Sequence, residues 1–421
     1  MRDYESREGL YEEENTAYQA LFVGSDPVSF GDAVKSMKWK KTMDVEIEAI
    51  ERNDTWKLID LPVEAKKVGV KWVYKTKLNE NGEVDKYKAQ LTGKECKILI
   101  VCLYVDDLIF TRNDESMFVE FKKSMMIEFD MTDLGKMRYF LGIEVMQRSD
   151  GIFISHRKYT QEVLERFNMD KCNPIHNPIV PGCKLMKTGD GVRIDSIFYK
   201  QIVENLMYLT ATRPDVMFVV SHISRFMDCP TKLYLQAAKR ILRYLKGIID
   251  FGVFYKKGGN EKLIAYTDSN YARDLDDRKS TSGYVFMLSI GAMSWSSKKQ
   301  PVISLSTTEV EFIAATLCVS QVIWLRRILE GFKHAQHDST IVYCDNSSTI
   351  KLSKNLVMHG CSKHIDVRFH FLRKLTKDGI VEMVHCHTQE QVVDIMTKPL
   401  KLDVFLKMCG LLGICLDPGV N

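Results

Sequence analysis

The chain has 421 residues, 45% hydrophobic and 27% charged, with a formal net charge of +4. That length allows two or three domains with real cores, and so even a balance leaves nucleic-acid binding to local basic clusters. No apolar run reads as long and charge-free enough to cross a bilayer, and MRDYESREGLYEEEN is too charged for a signal peptide. Eleven cysteines without a Cys-x-x-Cys pair read as reduced thiols of a cytoplasmic or nuclear protein.

Residues 1–28 are acidic and aperiodic, which predicts a disordered lead. Val34, Met37, Met43, Ile47 and Ile50 then fall near helical spacing, and Asn53-Asp54 closes the run. Strand-like stretches over 68–77 and 83–91 flank the turn Asn79-Glu80-Asn81-Gly82. The stretch KILIVCLYVDDLIFTR (97–112) is two apolar runs joined at Val105-Asp106-Asp107, a hairpin with two carboxylates at its tip. A helix over 116–129, strands over 139–147 and 151–155, and a helix over 158–167 follow. Pro174, Pro178, Pro181, Gly182, Gly189 and Gly191 mark a loop-rich hinge. Residues 198–226 and 231–246 are helical in pattern. The second carries Lys239, Arg240, Arg243 and Lys246, a solvated amphipathic face or one turned to nucleic acid.

The last domain begins with Leu263-Ile264-Ala265-Tyr266-Thr267-Asp268, an apolar strand ending on a carboxylate. Strands over 284–288 and 292–296, a helix over 306–329 and a strand over 341–344 ending at Asp345 come next. A short helix, a helix over 364–375, a strand over 380–385 and a helix over 389–397 stopped by Pro399 complete a β-β-β-α-β-α-β-α order. A lone Asp at a strand end is turn or cap chemistry. Four acids spread through this order, Asp268, Glu311, Asp345 and Asp394, could converge as oxygen ligands for Mg²⁺. Asp268 and Asp345 end strands that, if adjacent and parallel, share the sheet edge where α/β ligands bind. Ser306 and Glu309 have capping-box spacing, and Glu311 lies about 200° round the helix from Glu309. Glu311 is therefore the expected ligand and Glu309 the cap, with a Thr308–Glu311 box as the alternative. A zinc site drawn from His359, Cys361, His364, His385 and His387 has no spacing to fix it.

Six stretches, LTATRPDVMFVVSHISRF (209–226), LDDRKSTSGYVF (275–286), SLSTTEVEFIAA (304–315), VYCDNSSTIKL (342–352), SKHIDVRFHFLR (362–373) and VVDIMTKPL (392–400), closely resemble the reverse transcriptase and RNase H portion of copia-type LTR-retrotransposon Pol polyproteins. CLYVDDLIFT (102–111) is similar to that family's polymerase hairpin, with Asp106 and Asp107 as its metal-binding carboxylates. The resemblance covers most of residues 29–402. It implies an α+β multi-domain chain: a disordered lead (1–28), a truncated reverse-transcriptase fingers and palm (29–150), a thumb/connection helical region (151–258), an α/β RNase H-like domain with a mixed five-stranded sheet and flanking helices (259–402), and a tail (403–421). It also makes Asp268, Glu311, Asp345 and Asp394 the RNase H acids, holding two Mg²⁺ ions or Mn²⁺, with an RNA–DNA hybrid as partner and no membrane. Lys363, Arg368, Arg373 and Lys374 are the candidate phosphate contacts, or else a solvated helix face.

The departures bear on activity. The family has a long segment, with a further catalytic Asp, between the stretch matching Lys86-Tyr87-Lys88-Ala89 and the YVDD hairpin. Here Leu91-Thr92-Gly93-Lys94-Glu95-Cys96 runs almost straight into it. Polymerase chemistry needs acids from two strands to hold two ions, so no polymerase activity is expected. Protease, integrase and nucleocapsid Cys/His segments are also expected to be absent. Arg273 and Glu204 stand where the family usually has glycine and a small residue, a sign of drift. The two resulting expectations are a Pol-derived RNA–DNA hybrid ribonuclease and a catalytically dead nucleic-acid-binding remnant.

Overall fold

The computed structural model describes residues 27, 30–52, 69–78, 84–94, 99–104, 107–112, 115–129, 131–182, 185–186, 191–259, 261–354 and 366–417. Contacts divide the chain into two compact units, residues 1–133 and 134–421.

In the first unit, helices α1 (Phe30–Ala33) and α2 (Met37–Arg52) precede an antiparallel pair, β1 (Gly69–Leu78) and β2 (Val84–Lys94). The buried stripe of α2 is Trp39 and Met43, one turn apart, whereas Val34, Met37 and Ile47 of the expected apolar face are exposed. Strands β3 (Leu99–Tyr104) and β4 (Asp107–Arg112) form the expected hairpin, with Tyr104 opposite Asp107. Helix α3 (Glu115–Glu128) follows, and Phe110 of β4 packs on its Phe118 and Phe121 at ring distances of 4.9 and 5.2 Å. Among the described residues each hairpin is a two-stranded sheet of its own.

The second unit holds two five-stranded sheets. The first runs in the order β14 (Ile414–Leu416), β8 (Phe251–Lys256), β7 (Gly151–Ser155), β6 (Ile143–Gln147), β5 (Tyr139–Phe140), all antiparallel. Helices α4 (Arg157–Arg166), α5 (Ser196–Leu209), α6 (Met217–Ile223) and α7 (Lys232–Gly247) pack with it. The expected single strand over 139–147 is split because Leu141 and Gly142 turn with positive φ. The expected helix over 198–226 breaks at Pro214, whose ring removes a helical donor. Arg213 and Asp215 flank that proline, both fully buried, and bond through Nε–Oδ1 at 2.9 Å and Nη2–Oδ2 at 2.5 Å. Tyr244 of α7 donates to the same Oδ2 at 2.6 Å.

Two expected boundaries do not coincide with this sheet. The division at 150/151 falls in the turn of the β6–β7 hairpin. The expected tail is instead α12 (Leu402–Leu411), which buries Phe405, Met408 and Cys409, and then β14, paired to β8. A three-residue edge strand leaves too little periodicity to read, and its partner lies about 160 residues back.

The second sheet is mixed, in the order β11 (Gly291–Lys299), β10 (Thr281–Leu288), β9 (Leu263–Asn270), β12 (Thr340–Cys344), β13 (Val381–His385). β9 to β11 pair antiparallel; β12 lies parallel to both β9 and β13. Alternation along β9 sends Leu263 and Ala265 to one face, under α8 (Thr307–Gly331) and α10 (Asp366–Lys377). Ile264 and Tyr266 meet the other face, where Val393, Ile395 and Met396 of the segment containing α11 (Asp394–Thr397) join the core shared with the first sheet. Helix α9 (Ser347–Lys354) follows β12. Against expectation, α8 is long and apolar enough, by length and composition, to cross a membrane, with a mean window hydropathy of 1.5. Here it is the core helix of this sheet, with Phe312, Ala315, Val319 and Val322 fully buried.

A candidate metal centre at the end of the mixed sheet

Parallel pairing of β9 and β12 ends at Tyr266 opposite Tyr343. Asp268 and Asp345 each lie two residues beyond that pair, so the register alone brings them to one level at the sheet's end. Asp268 is 3% exposed and Asp345 partly exposed.

Glu311 reaches the same place from α8. Its Oε1 accepts the backbone N–H of Ser269 at 3.0 Å, and its Oε2 is buried with no hydrogen-bond partner. Glu309 has a different task. Ser306 Oγ accepts the Glu309 N–H at 3.2 Å and Glu309 Oε2 accepts the Leu305 N–H at 2.8 Å, a reciprocal N-terminal cap.

Asp394 arrives on α11, from the opposite face. The expected helix over 389–397 is a short 3₁₀ turn, an extended Gln391 and then α11, because tertiary bonds outcompete the helical ladder. Gln391 Nε2 donates to Thr267 O at 3.0 Å, and Asn270 Nδ2 donates to Thr397 O at 3.1 Å. Thr397 Oγ1 donates a short bond to Asp268 Oδ2. Gly283, paired with Asp268 on β10, makes the approach possible: a Cβ there would lie 2.8 Å from Met396 Cβ and 2.9 Å from Val393 Cγ1.

The electrostatics follow from crowding. Burial and the neighbouring Asp268 and Asp345 hold the Glu311 carboxyl well above its usual range. Burial and Asp268 also raise Asp345, and the same two causes push Asp394 up to about 7. Lys398 Nζ sits 2.8 Å from Asp394 Oδ1; burial works against its charge, but Asp268 and Asp394 outweigh that and raise its pKa. Ligand atoms of Glu311, Cys344 and Asp345 lie within 4.8 Å of one another. Burial, with Glu311 beside it, pushes the Cys344 thiol up, so carboxylate oxygens are the donors offered. A buried, unpartnered carboxylate oxygen among like charges fits a hard divalent cation such as Mg²⁺ or Mn²⁺.

Residues 90–181 match the family model "Reverse transcriptase (RNA-dependent DNA polymerase)". The retrovirus-related Pol polyprotein from transposon RE1 of Arabidopsis thaliana is 36% identical over 321 residues, 76% of this chain and 22% of that protein. A putative transposon Ty5-1 protein of Saccharomyces cerevisiae is 31% identical over 227 residues, 53% of this chain and 74% of its own length. The chain belongs to the retrovirus-related Pol polyproteins of transposons. It spans about a quarter of the Pol polyproteins it matches, 22% of RE1 and 25% of TNT 1-94 from Nicotiana tabacum. A solved structure of LC11-RNase H1, isolated from compost by a metagenomic approach, covers 32% of this chain and 93% of its own, at 14% identity and a TM-score of 0.26.

Within this Pol-family chain the remaining sequence-derived candidates divide. Asp107 is exposed at the β3–β4 hairpin, while Asp106 and Lys363 lie outside the described residues. Arg368 is half-buried, which lowers its pKa, with Glu309 acting in opposition. Arg373 contacts His370 Nδ1 at 3.2 Å, and Lys374 is exposed on the same helix. Sequence reasoning missed Thr397 and Lys398. Their signal was present, since Lys398 stands four residues after Asp394, the spacing of a helical ion pair.

Proposed function

We propose that Asp268, Glu311, Asp345 and Asp394 form a divalent-metal site that hydrolyses RNA in an RNA–DNA hybrid. The observation that carries this reading is the arrival of four carboxylates, from two parallel strands and from helices on opposite faces, at one sheet end. The buried Oε2 of Glu311 lacks any partner there. A structural role alone gives no reason to crowd together three carboxyls, two of them buried, whose ionisation their neighbours oppose.

The four carboxylates would hold Mg²⁺ or Mn²⁺, which when bound acidifies a water and offsets charge on the scissile phosphate. The protein's own groups do the rest. Ser269 N–H and Thr397 Oγ1 orient Glu311 and Asp268, and Lys398 balances the acids' charge. Arg373 and Lys374 on α10 are proposed phosphate contacts, with the half-buried Arg368 on the same helix and Lys363 before it in sequence.

The polymerase reading is weaker. Asp106 and Asp107 would need acids from a further strand, yet among the described residues the β3–β4 hairpin has no third strand, and four residues separate β2 from β3. We infer that this part has no polymerase activity.

The test is the purified 421-residue chain with Mg²⁺ or Mn²⁺ and a labelled hybrid. Cleavage that Asp345→Asn abolishes is the expected result. Salt-sensitive binding without cleavage would identify a dead nucleic-acid-binding remnant instead.

A further inference from the structure

Gln300 stands just past β11, 2% exposed, with a side-chain amide that touches three elements at once. Its Nε2 lies 3.1 Å from the carbonyl of Val310, the residue before Glu311 on α8. It also lies 2.7 Å from Ser282 Oγ, beside Gly283 on β10, and 3.3 Å from Ser269 Oγ, beside Asp268 on β9. Its Oε1 accepts from Ser304 Oγ at 3.4 Å, and its backbone N–H donates to Ser280 O at 2.8 Å. Ser269 then passes the constraint on, because its N–H holds Glu311 Oε1 and its Oγ donates to Thr281 O at 3.2 Å.

From this geometry we propose that Gln300 is a positioning residue for the metal centre, fixing the spacing between the strand that carries Asp268 and the helix that carries Glu311. The inference rests on the metal-site reading above. Without such a brace the two elements meet mainly through apolar contacts between Ala265, Phe312 and Ala315, which are non-directional and tolerate sliding. In the ionised form that binds a cation, the two carboxyls would use that freedom to move apart. One amide bonded to both elements opposes the separation, and a buried donor pair with well-placed acceptors is rigid as well as stabilising. Glu311 has no salt bridge of its own among the described residues, so its placement depends on the Ser269 N–H and on the backbone of α8.

The test uses the full chain and Mn²⁺ alone, titrated calorimetrically at neutral pH. Gln300→Met keeps the side chain's length and removes both donors. The expected result is a Kd for Mn²⁺ raised roughly 10- to 100-fold, the usual cost of losing a group that orients a ligand. A merely structural glutamine would lower the urea midpoint and leave the Kd of the folded protein unchanged, and that outcome overturns the proposal. Should Gln300→Met not fold, Ser269→Ala removes the hydroxyl that ties the amide to the strand carrying Asp268 while keeping the N–H that holds Glu311, and is read in its place; weakened Mn²⁺ binding supports the proposal and an unchanged Kd overturns it. Wild-type protein that binds no Mn²⁺, or whose binding is indifferent to Asp345→Asn, instead overturns the metal-site reading, and the inference with it.

Discussion

Replacing Gly283 by alanine puts one methyl group where the structure has no room for it. The new Cβ would stand 2.8 Å from Met396 Cβ, 2.9 Å from Val393 Cγ1 and 3.0 Å from Thr397 Cγ2, all below normal carbon contact. Met396 Cβ cannot swing away as a side-chain tip could, so the backbone of α11 must rise off the sheet. Overpacking of this kind costs about 1–3 kcal/mol, and each kcal/mol lowers Tm by about 2–4 °C in a domain of this size. The displacement also lifts Thr397 from Asp268 and Asp394 from the other acids. Loss of Mn²⁺ affinity should therefore accompany the loss of stability. The assay is a paired measurement on wild type and Gly283→Ala, thermal unfolding with EDTA and calorimetric titration with Mn²⁺. A variant with unchanged Tm and unchanged Kd would refute the argument that this glycine sets the distance between α11 and the sheet.

Four further outcomes are expected. The raised pKa of Asp394, about 7, with Asp345 and Glu311 raised in the same direction, means the folded state binds more protons than the unfolded one between about pH 4 and 7. Stability in EDTA should thus fall as pH rises through that window, and saturating Mg²⁺ should flatten the slope; urea midpoints that climb with pH would contradict this. Arg213→Ala strands a fully buried Asp215 and should cost about 3–5 kcal/mol, read as a lowered urea midpoint with α7 affected through Tyr244. Ser306→Ala removes the cap of α8 and should cost about 1 kcal/mol, a small and separable loss in the same assay. Primer extension on an RNA template should be undetectable at any Mg²⁺ or Mn²⁺ concentration, and a single added nucleotide would reopen the polymerase reading of Asp106 and Asp107.

Much of the mixed sheet was readable from the chain. Leu263 and Ala265 alternate with Ile264 and Tyr266 because a strand covered on both faces still sends successive side chains to opposite sides. The Ser306–Glu309 spacing identified the start of α8, since capping is a contact between near neighbours. What escaped involves residues far apart in sequence. Gln391 looked helical among valines, yet its amide is spent on Thr267 O, 124 residues away. The segment after 402 looked like a tail, yet Phe405 packs on Tyr244 at 5.7 Å and β14 closes the edge of the first sheet. In α2 the apolar spacing was real, but of the expected face Met43 is buried while Met37 and Ile47 are exposed, because a helix buries only what its neighbours cover.

The sequence by itself determined the order of elements from Leu263 to Thr397, the membership of four acids in strand ends and helices, and the shortness of the link before the YVDD hairpin. These are properties of local propensity and spacing. Only the tertiary structure decided that Asp268 and Asp345 stand at one level, that Gly283 lets α11 lie on the sheet, that Lys398 pairs with Asp394, and that the Gln300 amide touches α8, β9 and β10 at once. Each of those depends on strand register and on helix-to-sheet distance, quantities fixed by packing between segments that no local pattern encodes.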